Sequence, residues 1–402
     1  MANQIVVIGG GASGMVAAIA AKKAGSSVTI IEKNQRLGKK ILATGNGRCN
    51  YTNVLMTKNC YNHPFFVESI FDQFSLDQTL EFFKDLGIYP RVEKEGKAYP
   101  TSLQARSITE ALEREIHRLK IKVLHGVSVE TIDFTGTTFL VKTDKNESKS
   151  YDKVIIATGG LALPKSGSDG AGYQFAEALG HLMTPVFPAL VKLNLDCPYL
   201  KETEGVKMET TVRLYQDNKI ILEKSNDVLF TKYGVSGPTI LDLSRKANEL
   251  LLKQKRVFVS INLVPDYNQD QLTERFTRLK HLSVFESMKG LVHQKLIHPI
   301  LKEANISEQV IVESLSKKSF EQLFNVLNDF RFEVISSKDF DEAQVTAGGV
   351  KLNQVDKITL ESNLIPGLYF CGEVLDVDGL CGGYNLQWAW SSGYVAGMHA
   401  AS

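Results

Sequence analysis

The chain has 402 residues, 43% hydrophobic and 23% charged, enough to bury a sizeable core without disulfides or a structural metal. Its 46 Lys and Arg balance 45 Asp and Glu, so no global basic field gathers nucleic acid. No apolar run reaches the roughly 18 residues of a spanning helix, and the first residues show no basic region leading into a long apolar one, so neither a membrane segment nor a signal peptide is expected.

Ile5 to Ile8 is a β-branched run, followed by Gly9-Gly10-Gly11-Ala12-Ser13-Gly14. Met15 to Ala24 is rich in Ala, stops at Gly25 and predicts a helix. Ser27 to Ile31 predicts a second strand that closes on Glu32. Strand, glycine turn, helix and strand within about 30 residues is the setting that a dinucleotide fingerprint requires. In that pattern Gly9 makes the tight turn, Gly11 lets the backbone approach a pyrophosphate, and Gly14 lets the helix pack on the strand. Free N–H groups at the helix start attract the phosphates. Glu32 stands where a carboxylate accepts from a ribose diol, which suits FAD or NAD better than NADP. The competing reading is a βαβ unit with a tight turn and no ligand. A phosphate-loop NTPase is excluded, because Gly38-Lys39-Lys40 lacks the upstream glycine and the following Ser or Thr.

From Gly38 to Asn50 small, amide and basic residues alternate, as in a loop lying along a polyanion; a solvated glycine loop is the alternative. Asp77 to Leu86 and Ser107 to Leu119 have helical spacing, whereas 122–124, 128–132 and 138–143 read as strands. Tyr151 to Ile156 is an apolar strand running into Ala157-Thr158-Gly159-Gly160, where the backbone can pass close beside a cofactor. Gly167 to Gly172 precedes a helix over 173–179. From Val191 to Thr231 the pattern is strand-like, with a turn at Asp217-Asn218. Pro238 opens a helix, 257–264 is a strand, and 266–329 reads as several helices. Strand character returns at Phe330. No unit of strand, Gly-x-Gly-x-x-Gly and helix occurs between Gly172 and Phe330, so no second dinucleotide domain is expected there.

Near the end, Gly367 to Cys371 is an apolar strand leading to Gly372-Glu373, a carboxylate placed to accept from ribityl hydroxyls. Gly382-Gly383 then precedes a helix through Tyr384-Asn385-Leu386 and beyond. Its N–H groups, aimed at the N1/O2 edge of a flavin, would stabilise the anion formed on reduction. In isolation a glycine-initiated packing helix explains the same residues. Five cysteines (Cys49, Cys60, Cys197, Cys371 and Cys381) form no Cys-x-x-Cys, which reads as a reduced, cytoplasmic protein. The eight histidines show no ligand spacing, so no metal site is expected.

The segments 38–50, Thr346 to Val350, 372–389, and Leu229 to Gly234 with Ser236-Gly237-Pro238 resemble the BaiN-like flavoprotein family, nearly end to end. That family includes enzymes known as aminoacetone oxidases and bile-acid dehydro reductases. The resemblance implies an α/β fold: a glutathione-reductase-like FAD-binding Rossmann domain interrupted by a β-barrel-like and a helical insert. The expected limits are 1–188 with 335–402, then 189–265, then 266–334. It implies FAD as cofactor, with Gly9, Gly11, Ala12, Ser13, Gly14 and Glu32 holding the ADP half. Lys33, Lys40, Gly45, Asn46, Arg48 and Asn50 would line the pyrophosphate and ring side. Val129 would meet adenine through its backbone, and Ala157, Thr158 and Gly159 would flank the ADP. Gly372 and Glu373 would take the ribityl chain, and Gly383, Asn385 and Leu386 the ring edge.

The expected activity is hydride transfer between a small organic substrate, or NAD(P)H, and flavin N5. NAD(P)H, if it is the donor, docks transiently beside the flavin. Neither nucleic acid nor membrane is an expected partner. A tRNA-modifying flavoprotein and a non-enzymatic FAD-binding redox sensor are the alternatives. No motif marks a catalytic acid or base; Arg48, Tyr384 and Cys381 are the near-flavin candidates, each read more readily as a cofactor or packing contact.

Overall fold

Strand β1 (Gln4–Ile8) occupies the centre of a five-stranded parallel sheet in the computed structural model, which describes residues 3–402. On one side it pairs with Lys153–Ile156 and then Leu368–Phe370; on the other with β2 (Ser27–Glu32) and then Lys122–His125. Ile5, Val6 and Val7 have no solvent exposure, which is why β1 reads as an unbroken apolar run: both faces of the sheet are covered. Helix α1 (Ala12–Lys23) covers one face, ending as expected with Gly25 at φ +100°. Its partner is the C-terminal helix Tyr384–Ala401. A Cβ at Gly393 would stand 2.3 Å from the Ser13 carbonyl oxygen, and one at Gly397 2.3 Å from that of Ala17. The two helices therefore meet backbone to backbone, and a larger residue at either position would force them apart.

The structure corrects the strand expected over 151–156. Ser148–Tyr151 belongs to an antiparallel sheet with Phe139–Thr143 and Val129–Phe134, and only Lys153–Ile156 enters the parallel sheet. Asp152 makes the joint: its carboxylate accepts from Gln4 N–H at 2.7 Å, and its own N–H donates to Gln4 O at 2.9 Å. Among the features that escaped the sequence reading are the helix Pro64–Phe71 and a small sheet of Thr52–Asn53, Lys97–Pro100 and Pro90–Val92.

These elements form one compact unit, made of the chain up to Phe187 together with Gln344–Ser402. Pro188–Ala343 forms the other. There six strands close into a barrel in the order Leu193–Asp196, Gly234–Ser236, Lys219–Thr231, Lys207–Gln216, Val257–Ile261, Phe330–Ser337, every pair antiparallel. The Asp217-Asn218 turn joins the two longest strands, with Asp217 at φ +53°. The helices Pro238–Leu252, Gln269–Arg278, Gln294–Glu303 and Lys317–Asn328 share the barrel's core: Leu243, Leu272, Leu296 and Leu323 pack in the same cluster as Val212, Val259 and Phe330. The limit expected at residues 334/335 thus falls inside the strand whose pairing with Leu193–Asp196 closes the barrel.

Candidate functional site

Three turns meet at the C-terminal ends of the parallel strands. In the first, Gly9 has φ +101°, and a Cβ there would lie 2.6 Å from Ala157 O. At Gly14 a Cβ would lie 1.9 Å from Gly9 O. Both positions are glycine because the protein leaves no room. Gly11 is different. Its φ of −79° suits any residue, and an added Cβ would meet nothing within 4 Å. The chain itself does not demand glycine there, and the space beside the backbone is open to a ligand. No side chain caps α1, so the first-turn N–H groups of Ala12, Ser13 and Gly14 face that open space.

Glu32 ends β2, buried beside this loop. Its Oε2 accepts from Gly10 N–H at 2.7 Å, and Oε1 accepts from Asn34 N–H at 2.8 Å and Asn34 Nδ2 at 2.7 Å. A carboxylate fixed this way keeps lone pairs for further donors. Val127 N–H donates to Glu32 O at 3.2 Å, which brings the start of Val129–Phe134 alongside. Ala157 N–H donates to Ile8 O at 2.9 Å, placing Ala157, Thr158 and Gly159 next to the glycine turn, with Gly159 at φ +73°.

The second turn is cationic. Between Glu32 and Glu68 the chain carries six Lys and Arg and no carboxylate. Lys33 pairs with Asp169 at 2.5 Å. Burial pushes the Asp169 carboxyl up, but Lys33 and the Ala171 N–H outweigh it and hold it below its ordinary value. Lys40 Nζ lies 2.7 Å from Glu373 Oε2, while Glu373 Oε1 accepts from Thr346 N–H at 2.7 Å. Beyond Lys40 the backbone turns left-handed at Gly45, Asn46 and Cys49. Arg48 is half-buried; its Nη1 donates to Glu93 at 3.2 and 3.3 Å and its Nη2 to Tyr99 Oη at 3.3 Å. Asn50 is buried and its Oδ1 has no partner among the described residues, an acceptor waiting for a donor.

The third turn leads into the C-terminal helix. Gly372 donates to Ser392 Oγ at 2.9 Å and its carbonyl accepts from Trp388 Nε1 at 3.1 Å, which fixes Glu373. The buried Gln387 accepts from Thr52 Oγ1 at 2.6 Å and donates to Thr79 Oγ1 at 2.7 Å, pinning the start of the helix to the small sheet. No side chain caps this helix either. Gly383, however, has φ +99°, and a Cβ there would lie 2.4 Å from Thr52 O and 2.9 Å from Asn50 Oδ1. Glycine is required here by the protein's own backbone, not by a ring approaching it. Asn385 spends its side chain on the preceding loop: Oδ1 accepts from Gly379 N–H at 2.8 Å and Nδ2 donates to Gly379 O at 3.0 Å. Only its backbone N–H, with that of Leu386, is left at the helix start.

Every expected site residue thus lies on one of these turns or the strand ends between them. The sequence reading missed Asn53, Glu93, Lys97 and Tyr99, which gather around Arg48 and Gly382. Strands of two to four residues are too short to show alternation, so no pattern announced them.

The sequence profile of the HI0933-like protein Rossmann domain matches residues 3–399. The chain belongs to this family. It is 38% identical to the 3-dehydro-bile acid delta(4,6)-reductase of Clostridium scindens over 99% of both chains, and 31% identical to the ribosomal RNA dihydrouridine synthase of Escherichia coli over 97% of this chain and 96% of that one. Its fold is similar to that of the 3-ketosteroid delta1-dehydrogenase of Sterolibacterium denitrificans, with a TM-score of 0.53 and 11% identity over 99% of each chain. The chain is a flavoprotein oxidoreductase and its cofactor is FAD. The open space at Gly11, the buried Glu32 carboxylate and the unpartnered Asn50 Oδ1 fit that group.

Bound FAD supplies two-electron hydride chemistry. The chain supplies two uncapped helix starts, a carboxylate at each of two strand ends, and a run of cations. It offers no thiolate at Cys49 or Cys371: both are fully buried, and burial pushes each thiol up to about 12. Among the described residues no helix is long and apolar enough to cross a membrane.

Proposed function

We propose that FAD lies across the three turns. In this reading Gly9, Gly11, Ala12, Ser13, Gly14 and Glu32 hold the ADP half, with Val129, Ala157, Thr158 and Gly159 flanking it. Lys33, Lys40, Gly45, Asn46, Arg48 and Asn50 follow the pyrophosphate and ring, Gly372 and Glu373 the ribityl chain. The backbone N–H groups of Asn385 and Leu386 meet the ring edge, with Gly383 shaping that turn. The reaction is reduction of a carbon–carbon double bond conjugated to a carbonyl in a cyclic small molecule. NAD(P)H docks transiently as the electron donor, since the strands of Pro188–Ala343 make an antiparallel barrel rather than a second parallel nucleotide-binding sheet.

The observation that carries this reading is the 38% identity, over essentially the full length, to an enzyme named as a reductase of a 3-oxo ring with conjugated double bonds. The dihydrouridine synthase name points the same way chemically: uracil also holds a C=C bond conjugated to a carbonyl, and dihydrouridine is its reduced form. The two readings differ in substrate size. Charge favours the small molecule: Pro188–Ala343 carries 22 Lys and Arg against 22 Asp and Glu, and the rest of the chain 24 against 23, so neither part carries the net positive charge that gathers a long polyanion. Anaerobic absorbance of the holoenzyme tests the choice. NADH or NADPH should bleach the flavin, and a cyclic enone such as a 3-oxo-Δ4 steroid should restore its colour. Restoration by uridine-containing ribosomal RNA fragments and not by enones would overturn the small-molecule reading.

A further inference from the structure

Reducing a conjugated C=C bond requires a proton as well as a hydride, and the small sheet holds a phenol able to give one. Tyr99 and Lys97 stand two residues apart on one face of Lys97–Pro100; Asn53 is the register partner of Lys97 and Arg91 that of Tyr99. This face is tied to the third turn, because Asn53 Nδ2 donates to Gly382 O at 2.9 Å, and a Cβ at Gly382 would lie 3.5 Å from the Lys97 stem. It is tied to the second as well, since a Cβ at Gly45 would lie 3.3 Å from Tyr99 Cε1. Tyr99 therefore stands between the two turns assigned to the flavin ring.

The hydroxyl is arranged to give a proton away. Tyr99 Oη accepts from Arg48 Nη2 at 3.3 Å, and the Arg48 guanidinium lies 4.3 Å over the phenol ring. No acceptor among the described residues takes the hydroxyl's own proton. Burial pushes the Tyr99 hydroxyl up, so it is protonated at neutral pH, while Arg48 and Lys97 act in the opposite direction and favour the phenolate once the proton has gone. The neighbouring groups are poorer donors. Arg48 does not deprotonate. Lys97 is bound to Glu95 at 2.5 Å; burial pushes its ammonium down, and Glu95 outweighs burial and holds it above the ordinary value.

We propose that Tyr99 is the proton donor of the reduction and that Arg48 is its positioning residue; this rests on the conjugated-double-bond reading above. The substrate's C=C bond gains a hydride, with two electrons, from the reduced flavin at the carbon β to the carbonyl. It gains a proton from Tyr99 Oη at the α carbon. The phenolate is left facing Arg48 and is reprotonated by water, and reduced nicotinamide supplies the next hydride.

The test uses the FAD-loaded enzyme, reduced anaerobically and mixed with a 3-oxo-Δ4 steroid. Tyr99→Phe should slow flavin reoxidation by 10²–10³-fold at unchanged FAD content. In the wild type the rate should fall at high pH as Tyr99 ionises; the residual rate of Tyr99→Phe should lack that fall. A second readout does not depend on turnover. The phenolate absorbance of the wild type minus that of Tyr99→Phe, followed with pH, reports the Tyr99 ionisation directly, and Arg48→Gln should move it upward. An active wild type with an equally fast Tyr99→Phe overturns the donor assignment alone. A Tyr99 ionisation that Arg48→Gln leaves in place overturns the positioning role. A wild type that no conjugated substrate reoxidises overturns the proposed reaction and the donor together.

Discussion

Two helix starts in this chain look alike in sequence and differ in physics. Gly11 precedes α1 and Gly383 precedes the C-terminal helix, and neither helix has a side-chain cap. At Gly11 the backbone is ordinary and the space beside it empty. At Gly383 the backbone is left-handed and the space is filled by the Thr52 carbonyl. The first glycine leaves room for a ligand and the second serves the fold. A glycine motif is thus evidence for a binding site only where the protein alone would tolerate a side chain.

Substitutions make this difference measurable. The largest effect is expected from Gly383→Ala, which combines left-handed strain with a clash against backbone. It should cost about 2–5 kcal/mol of stability, seen in denaturant unfolding of apo and FAD-loaded protein alike. Equal stability to the wild type would show that Thr52 yields, and the comparison would fail.

Glu32→Ala comes next. Loss of a charge-assisted acceptor should weaken FAD retention by about 1.5–3 kcal/mol, read from the dissociation constant of reconstituted apoprotein. Because Glu32 also holds Gly10 and Asn34, the apoprotein itself should lose stability, placing this residue between the two glycines in kind. Gly11→Ala should be the mirror of Gly383→Ala. FAD affinity should fall at least tenfold, about 1.4 kcal/mol. The apoprotein should keep its melting temperature or gain slightly, since alanine fits this backbone and restricts the unfolded chain. A destabilised apoprotein would show that the glycine is structural after all.

The smallest effect belongs to the other end of α1. Lys23 lies 3.0 Å from Glu115 and Arg118 bonds the same carboxylate at 2.7 Å; against burial, Arg118 first and then Lys23 hold the Glu115 carboxyl down at about 2 from an ordinary 4.5. A depressed carboxyl contributes stability above its unfolded value and loses it as pH falls through the folded one. The contribution should therefore be complete above about pH 5 and fade between pH 4.5 and 2. Both cations are exposed enough to be screened, so it should amount to about 1–2 kcal/mol. Unfolding of Glu115→Gln and the wild type across this range should converge at the acid end; parallel curves would sink the assignment.

Sequence alone determined what depends on local pattern. A β-branched run, a glycine turn, an Ala-rich helix and a terminal Glu32 specify the nucleotide-binding unit, because each acts within a few residues of its own position. The barrel hairpin was legible at Asp217-Asn218 and the later helices by their near lack of glycine, for the same reason. Tertiary structure decided what depends on residues far apart in the chain. Asp152 divides one apolar run into two strands because Gln4 is there to bond it. Phe330–Ser337 closes the barrel by pairing with Leu193–Asp196, more than a hundred residues earlier. Asn385 turns from the ring edge to Gly379. Tyr99 meets Arg48 across 51 positions, through strands too short to carry a period. Hydrogen bonds of this kind are short in range but indifferent to sequence distance, so only the folded chain shows which of them form.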